Sequence, residues 1–245
     1  MDELPGNVVI WRYMAFEKFV SMLESHSLWF SRPFAFDDRW EGLYPPSYYK
    51  NARQWAVRTG EKWDDDLEME FIKRWKRHRY ASFVNCWHIA DNESDAMWRL
   101  YGEGVAIRST VGRLRSCLSI HGCGRVIYYD PEKDLRYKSI FGPPDILHKR
   151  VSFIHENECR AWICDDALVG RIERNEEVIE EELSRGMMMS IHDMQKLIDK
   201  VTVAPNVNAA FFERIRDICL RCKRQWLADK VVRSRLEQPH SSFFN

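Results

Sequence analysis

The chain has 245 residues, with 37 lysines and arginines against 37 aspartates and glutamates, and 13% of its residues are aromatic. Because the net charge is zero, no global field attracts the protein to nucleic acid or to an anionic membrane. No apolar run approaches the roughly 20 residues that span a bilayer, and the first residues lack a secretion signal. We therefore expect a soluble, cytoplasmic protein without membrane contact, in which anion binding is confined to local clusters of side chains.

The length and the aromatic content predict a single domain over residues 1–245 with a substantial buried core. Seven cysteines, an odd number at irregular spacing, indicate reduced thiols rather than a disulfide framework. We predict a charged insertion near 165–186. Within it, residues 173–185 hold six glutamates and few apolar residues, so we predict a solvated helix or a mobile insertion there.

The first part of the chain predicts two strands, a helix and a loop. β-Branched and aromatic residues predict a strand at 8–13, and apolar residues at helical spacing predict a helix from 16 to 23. A second short strand is predicted at 28–31, and Pro33 ends it. The acidic and aromatic residues 34–42 then form a loop whose composition is common in binding sites.

The middle of the chain predicts a basic amphipathic helix followed by strand, helix and strand. Apolar residues share one face of the segment 64–79, and basic residues cover its solvated face. A strand follows at 81–87, then a helix that begins at the predicted N-cap Ser94, and then a strand at 104–107.

The remaining predicted elements are mostly short strands. They lie at 125–129, 151–154, 159–163, 187–189, 201–203 and 231–232, with one helix from about 208 to 226. The order shows no regular βαβ alternation with a glycine-rich first turn. We therefore predict an α+β fold with a mostly antiparallel central sheet and flanking helices.

Two glutamates separated by one residue form a candidate catalytic pair. If they lie on a strand, its period of two puts Glu156 and Glu158 on one face. Like charges held that close raise at least one pKa, and acid–base sites are made in this way. The alternative is that Lys149, Arg150 and Arg160 simply pair with both glutamates at a solvated strand edge.

Arg12 follows the β-branched run of the first predicted strand, where a guanidinium can form bidentate bonds to a phosphate or a carboxylate. The alternative is a structural salt bridge to Asp38 or Glu41. Tyr13, the next residue, either stacks on a ligand or packs in the core.

Asn85, Trp87 and His88 end a predicted strand just before a polar loop and a capped helix, so their side chains can converge on a ligand. His88 is a candidate general base because the ordinary pKa of histidine lies near neutrality. A purely structural histidine is the alternative.

Cys219 and Cys222 have the spacing of half a metal site, but they continue the apolar stripe of a predicted helix that contains Phe212 and Ile215. Zinc needs four ligands, and no second half-site occurs at zinc-finger spacing. We predict core cysteines and no bound metal. Glycine-rich phosphate-binding motifs are also missing from the sequence.

Four segments of the chain occur in a characteristic order and spacing. They are Arg12-Tyr13-Met14; Phe36 to Gly42; Asn85 to His88 with Glu93 to Trp98 and Gly104 to Ile107; and His148 to Phe153 continuing into His155 to Ala161. Together they resemble a prokaryotic family known only as domain of unknown function 2971, in its branch with a Trp-His motif. The resemblance implies kinship and no established reaction.

A second resemblance rests on Arg12, Ser82 and the motif Glu156-Asn157-Glu158, in that order. It is to the arginine-serine-glutamate class of the ADP-ribosyltransferase superfamily, although the usual Ser-Thr-Ser is missing around Ser82. This resemblance implies an ADP-ribosyltransferase-like fold with NAD as the substrate. Glu158 would hold the nicotinamide ribose, and Glu156 would orient the acceptor.

The first predicted function is an NAD-dependent mono-ADP-ribosyltransferase or NAD glycohydrolase, acting in prokaryotic phage defence or as a toxin. Its acceptor would be a macromolecule or water. The second predicted function is a non-enzymatic binding or regulatory module in which Arg12, Lys149 and Arg150 bind an anionic small molecule. Nucleic-acid binding is disfavoured because Trp75 and Trp226, beside the basic faces, lie on apolar stripes.

We predict that strand ends meet at one cleft, which Arg12, His88, Lys149, Glu156 and Glu158 surround. The full set of candidate residues is Glu156, Glu158 and His88 for catalysis, with Arg12, Tyr13, Ser82, Asn85, Trp87, Lys149 and Arg150 for binding NAD or another anion.

Overall fold

The computed structural model describes residues 4–43, 46–60, 62–132 and 145–236. The protein has a mixed α+β fold with a mostly antiparallel central sheet and flanking helices, as predicted.

The described residues group into two compact units. Unit 1 contains residues 30–85 and 120–187, and unit 2 contains residues 4–29, 86–119 and 188–236.

The strands confirm most of the predicted positions. They are β1 (Val9–Ala15), β2 (Ser27–Ser31), β3 (Ser82–Ile89), β4 (Gly104–Thr110), β5 (Gly122–Arg125), β6 (Ile127–Tyr129), β7 (His148–Arg150), β8 (Glu158–Cys164), β9 (Gly186–Ser190), β10 (Lys200–Val203) and β11 (Val231–Arg233).

The described helices are α1 (Phe16–Ser25), α2 (Pro46–Thr59), α3 (Asp65–Tyr80), α4 (Asp95–Tyr101), α5 (Val111–Cys117), α6 (Asp166–Glu173), α7 (Met194–Leu197), α8 (Ala209–Arg221) and α9 (Gln225–Ala228). The longest of the described helices is α3, with 16 residues. Within the described residues, no helix is both long enough and apolar enough to cross a bilayer.

Strand β1 has a central place in unit 2, where the strand order is β11-β10-β4-β1-β3. Residues that face each other across antiparallel strands share one face of the sheet. One such row consists of Lys200, Arg108, Trp11 and His88. The next residue of β1, Arg12, therefore lies on the opposite face, where it faces Ile107.

Side-chain caps begin several helices. Ser94 accepts a hydrogen bond from the Met97 amide at the start of α4, as the sequence predicts. Asp64 accepts one from the Leu67 amide at the start of α3. Each cap satisfies an amide that the first turn of a helix otherwise leaves without a partner.

Buried Arg32 ties three segments of unit 1 together. Its Nη2 lies 2.8 Å from Asp165 Oδ2, its Nε donates to the Ser184 carbonyl at 3.0 Å, and its Nη1 donates to the Tyr80 carbonyl. These bonds fix the ends of α3 and β8, which pairs with β3 and runs antiparallel to β5.

The charged segment near 165–186 begins with a helix that has a buried face. Helix α6 buries Leu168 and Ile172, which pack with Ala81. Two apolar residues at a spacing of four are sufficient to give a helix one buried face. The neighbouring glutamates 180–182 form a short exposed 3-10 helix.

The strand prediction at 151–154 was wrong. Residues 151–154 belong to a 3-10 helix, Val151–Glu156, and β8 begins only at Glu158. Asn157 separates the two elements in a left-handed conformation, with φ of 38°. Asparagine tolerates this conformation better than most residues, so the chain can turn from the helix into the strand there.

The cysteine prediction holds for Cys219, which is buried in α8. The helix ends at Arg221, so Cys222 follows it at a half-buried position.

The first testable prediction concerns Gly104, at the start of β4. A Cβ there would lie 2.2 Å from the carbonyl oxygen of Met14, which β1 holds in place. We expect Gly104→Ala to lower the free energy of unfolding by about 2 kcal/mol or more in urea denaturation. Gly170→Ala is the matched control, because its Cβ would meet only the end of Arg174 at 3.3 Å inside α6. Alanine is the better helix former, so the control should be neutral or stabilising. Equal losses in both variants would contradict the prediction.

Candidate functional site

Unit 1 gathers five charged side chains from four local structures. Glu41 comes from the loop at 36–43, Lys149 from β7, Glu156 from the end of a 3-10 helix, and Glu158 and Arg160 from β8. We refer to these five residues as the glutamate cluster.

Arg160 is 0% exposed and joins two carboxylates. Its Nη1 and Nη2 lie 2.8 and 3.0 Å from the two carboxylate oxygens of Glu41. Its Nε lies 2.7 Å from Glu158 Oε2, and its Nη1 also donates to the Ile146 carbonyl at 2.7 Å. The guanidinium thus has partners on both sides, as a buried cation requires.

Lys149 contacts all three glutamates of the cluster. Its Nζ lies 2.5 Å from Glu158 Oε1, 2.7 Å from Glu156 Oε2 and 3.4 Å from Glu41 Oε1. Burial alone would lower the pKa of Lys149, but the charges of Glu158 and Glu41 outweigh burial and raise it. Lys149 therefore remains a cation at neutral pH.

The two neighbouring glutamates have pKa values shifted in opposite directions. Burial raises the pKa of Glu156 to about 7, and the hydrogen bond and charge of Glu158 add to this shift. Burial would also raise the pKa of Glu158, but Arg160 and Lys149 outweigh it and hold that pKa well below its usual range. The side chain of Glu156 is 17% exposed, and Glu158 is 3% exposed. Near neutral pH, one carboxylate stays ionised and the more accessible one exchanges a proton.

The backbone brings these carboxylates together in an unexpected way. Both reach Lys149, but through a 3-10 helix and the left-handed Asn157 rather than through strand alternation. Asn157 Oδ1 accepts a hydrogen bond from Arg125 at 3.0 Å, and the Glu158 amide donates to the Tyr128 hydroxyl at 2.9 Å. The predicted proximity is therefore right, and the predicted strand geometry is wrong.

A second ion pair lies beside the cluster. Arg150 Nη2 and Nε lie 2.8 and 3.2 Å from the two oxygens of Asp38. The Phe153 ring lies 5.5 Å from the Arg150 guanidinium and 4.8 Å from Lys149 Nζ. The acidic and aromatic loop at 34–42 thus contributes Glu41 to the glutamate cluster and Asp38 to the ion pair beside it.

Tyr129 adds a buried hydroxyl near the ion pair. Within the described part of the chain, that hydroxyl has no hydrogen-bond partner. Burial raises the pKa of Tyr129 to about 12, and the charge of Asp38 contributes to the shift. A buried polar group of this kind is stabilised when a water molecule or a ligand meets it.

Arg12 and Tyr13 lie in unit 2 and point to opposite faces of β1. Arg12 Nη1 donates to the Cys86 carbonyl at 2.5 Å, and burial lowers the pKa of Arg12. Among the described residues, no carboxylate pairs with it. The Tyr13 hydroxyl accepts a hydrogen bond from the Ser94 amide at 2.8 Å, and its ring packs edge-on against Trp98. Tyr13 is therefore a core residue.

Strand β3 carries the remaining predicted residues. Trp87 and His88 are buried on opposite faces, and the His88 ring lies edge-on to Tyr13 with centroids 6.2 Å apart. In unit 1, Asn85 is buried and Ser82 Oγ donates to a carbonyl of α3 at 3.3 Å. Unit 1 brings together Lys149, Glu156 and Glu158, with Arg150 close by. The wider cleft that also includes Arg12 and His88 stays a prediction.

Glu41 and Arg160 were missed as members of the site. From the sequence, both were expected only as structural ion-pair partners. Glu158 and Arg160 are two residues apart on β8, so their alternation already indicates a shared face. Nothing in the sequence indicates that Glu41 reaches this face.

Glu158→Gln tests the structural role of the ionised glutamate. The change leaves buried Arg160 and Lys149 with too little negative charge, so we expect the free energy of unfolding at pH 7 to fall by about 3 kcal/mol. The folded pKa of Glu158 is lowered, so its stabilisation is present above its unfolded pKa and is lost on acidification. Urea denaturation measures the effect, with exposed Glu181→Gln as the control. An unchanged unfolding free energy would refute the structural role.

Glu156→Gln should have the opposite effect. The folded pKa of Glu156, about 7, is above its ordinary value of 4.5. Its stabilising contribution is therefore present below pH 4.5 and is lost as the pH rises through 7. Because glutamine stays neutral, the variant should match the wild type near pH 4 and exceed it by about 2 kcal/mol at pH 8. Urea titrations from pH 4 to pH 8 measure the free energy of unfolding of both proteins, with Glu181→Gln as the control. A difference between variant and wild type that did not change with pH would contradict the raised pKa.

Comparison with known proteins identifies no relative, since no family model, curated protein or solved structure matches the chain. The resemblances to domain of unknown function 2971 and to the ADP-ribosyltransferase superfamily therefore stay predictions.

Proposed function

We propose that this protein is an NAD-dependent mono-ADP-ribosyltransferase or NAD glycohydrolase with the glutamate cluster as its reaction centre. The observation that carries the proposal is the adjoining pair Glu156 and Glu158, whose pKa values are pushed apart. NAD as the substrate follows from the resemblance of Arg12, Ser82 and the Glu-Asn-Glu motif to the superfamily. A cytoplasmic location and a role in prokaryotic phage defence or as a toxin are part of the same proposal.

The reaction breaks the bond between ribose C1′ and the nicotinamide nitrogen. Nicotinamide leaves with the bonding electron pair, and the ribose becomes an oxocarbenium-like cation. The oxygen of water, or a nucleophile on a macromolecular acceptor, then bonds to C1′ and loses a proton. The ionised form of Glu156 accepts this proton, and a carboxylate with a pKa of about 7 is well matched to the task.

Glu158 is a positioning residue in this proposal. Its charge raises the pKa of Glu156, and its oxygens hold Lys149 and Arg160. The superfamily resemblance assigns Glu158 to the ribose. Direct contact would require a carboxylate that is 3% exposed to separate from two buried cations, at a cost of several kcal/mol. Glu156 is the better candidate for contact with the substrate.

Exposed apolar side chains next to the cluster residues support a ligand with an aromatic ring. Trp40 precedes Glu41 and is 40% exposed, and Ile154 lies two residues before Glu156 and is 58% exposed. Both side chains, which are close to cluster residues in sequence, offer apolar surface that an aromatic ring of a ligand can contact.

The alternative function is a non-enzymatic module for an anionic ligand. Arg12 supports it, because no carboxylate in the described part of the chain neutralises its guanidinium. Lys149 and Arg150 count against it, because carboxylates already neutralise both.

Nicotinamide release from NAD tests the enzymatic proposal. We expect turnover by the wild type to rise through pH 7 and then level off, because the ionised form of Glu156 is the active base. Glu156→Gln should reduce the rate at least about a hundredfold at pH 8. Glu181→Gln should leave it unchanged.

Two outcomes would decide against the enzyme. An active Glu156→Gln variant would refute the role of Glu156. A folded wild type that releases no nicotinamide, with water or with a cell lysate as the source of acceptors, would favour the module. In that case NAD should raise the melting temperature without turnover, and Arg12→Gln should abolish the increase.

A further inference from the structure

Unit 2 carries a second concentration of charge. Arg108 on β4 faces Lys200 on β10 across an antiparallel pair, so both side chains start from one face of the sheet. Asp199 precedes Lys200, Arg113 lies in α5, and Lys230 immediately precedes β11. We refer to Arg108, Arg113, Asp199, Lys200 and Lys230 as the arginine–lysine cluster.

Asp199 accepts bonds from both arginines of the cluster. Arg113 Nη1 lies 2.9 Å from Oδ1, and Arg108 Nη1 donates to Oδ2. Burial alone would raise the pKa of Asp199, but the hydrogen bonds from Arg108 and Arg113 lower it. The arginine side chains are 31% and 38% exposed, so solvent and dissolved ions reach both guanidinium groups. Ion pairs at such exposure are weak and can rearrange around a ligand.

The two lysines lack an ion-pair partner among the described residues. Lys230 Nζ donates to the carbonyls of Ile198 and Gln195 at 2.6 and 3.2 Å, and these bonds do not neutralise its charge. Lys200 Nζ lies 5.2 Å from the centre of the Trp11 ring.

The positive charge around the lysines exceeds the negative charge. The arginine–lysine cluster itself contains four cations, Lys200, Lys230, Arg108 and Arg113, and one carboxylate, that of Asp199. Outside it, Arg235 and Glu93 act on Lys200, and Asp193 acts on Lys230. Glu93 is also occupied, because Trp98 Nε1, Ser234 Oγ and the Arg235 amide all donate to it.

Burial is the main cause that lowers the pKa of both lysines. For Lys200 the charges of Arg235 and Arg108 lower the pKa further, and Glu93 and Asp199 oppose them. For Lys230 the charge of Asp199 raises the pKa and that of Arg113 lowers it. An anion bound beside both lysines would raise these pKa values again.

A buried hydroxyl lies on the same face of β10. Thr202 is two residues from Lys200, so strand alternation places both side chains on one face. Thr202 is 1% exposed, and in the described part of the chain its Oγ1 has no hydrogen-bond partner. The face of β10 that carries Lys200 therefore also carries a buried hydroxyl that can donate to or accept from a ligand.

We propose that the arginine–lysine cluster is a binding site for a small ligand that carries a diphosphate group. Four cations around one carboxylate suit such a group, because arginine guanidinium groups and lysine ammonium groups are the usual donors to phosphate oxygens. A single nucleic-acid strand fits less well, because Trp11 is buried and cannot stack on bases. The inference is independent of the proposed function, since diphosphate binding needs no turnover of NAD.

Isothermal titration calorimetry with inorganic pyrophosphate tests the site in the full chain, at about 50 mM salt so that screening is weak. We expect pyrophosphate to bind at least tenfold more tightly than orthophosphate. Lys200→Gln and Arg113→Gln should each weaken pyrophosphate binding about tenfold. Arg216→Gln, which removes an exposed cation of α8 outside the cluster, should not change it. Thermal melting establishes whether each variant is folded. If Lys200→Gln does not fold, Arg113→Gln still tests the site, because the Arg113 side chain is partly exposed.

Three outcomes would overturn the inference. The wild type could bind no pyrophosphate at millimolar concentration, or it could bind with an affinity that neither Lys200→Gln nor Arg113→Gln changes. Alternatively, a single-stranded oligonucleotide could compete for the same residues and bind more tightly than pyrophosphate. That result would replace the diphosphate site with a nucleic-acid surface.

Discussion

The burial of Arg160 between Glu41 and Glu158 is the constraint on which the candidate site depends. Removing a guanidinium from water costs several kcal/mol unless charged partners replace the water. Glu41 provides a bidentate partner from a loop, and Glu158 provides the second from the same strand. The buried charge of Arg160 therefore has both of its carboxylate partners only when the loop at 36–43 packs against β8.

The unusual titration of Glu156 follows from the same balance of charge. Two cations, Lys149 and Arg160, neutralise the two most deeply buried carboxylates, those of Glu41 and Glu158. The third carboxylate shares Lys149 with both of them. Of the three carboxyl groups, Glu156 loses the least stabilisation when it is protonated, so its pKa is raised. A group suited to proton transfer thus arises wherever a buried ionic cluster contains one carboxylate more than its cations can neutralise.

Local patterns in the sequence predicted most of the fold. Alternating and helical periodicities located β1, α1, α3, β4 and β10, and Ser94 was identified as an N-cap before its hydrogen bond was seen. The errors occur where distant residues decide the local structure. Val151 to Ile154 have strand propensity, but they form a 3-10 helix that brings Glu156 to Lys149. The pairing of Arg160 with Glu41 was not predictable, because periodicity contains no information about which distant charges are buried together.

The glutamate cluster also has a consequence for the order of events during synthesis. Glu41 and Arg160 are 119 residues apart, and Asp38 and Arg150 are 112 residues apart. Unit 1 is assembled from two separate stretches of chain, and residues 86–119 between them belong to unit 2. A chain emerging from the ribosome therefore carries the acidic loop long before its basic partners exist. The loop therefore stays solvated until residue 160 has been synthesised, and the ion pairs of the cluster can form only after that.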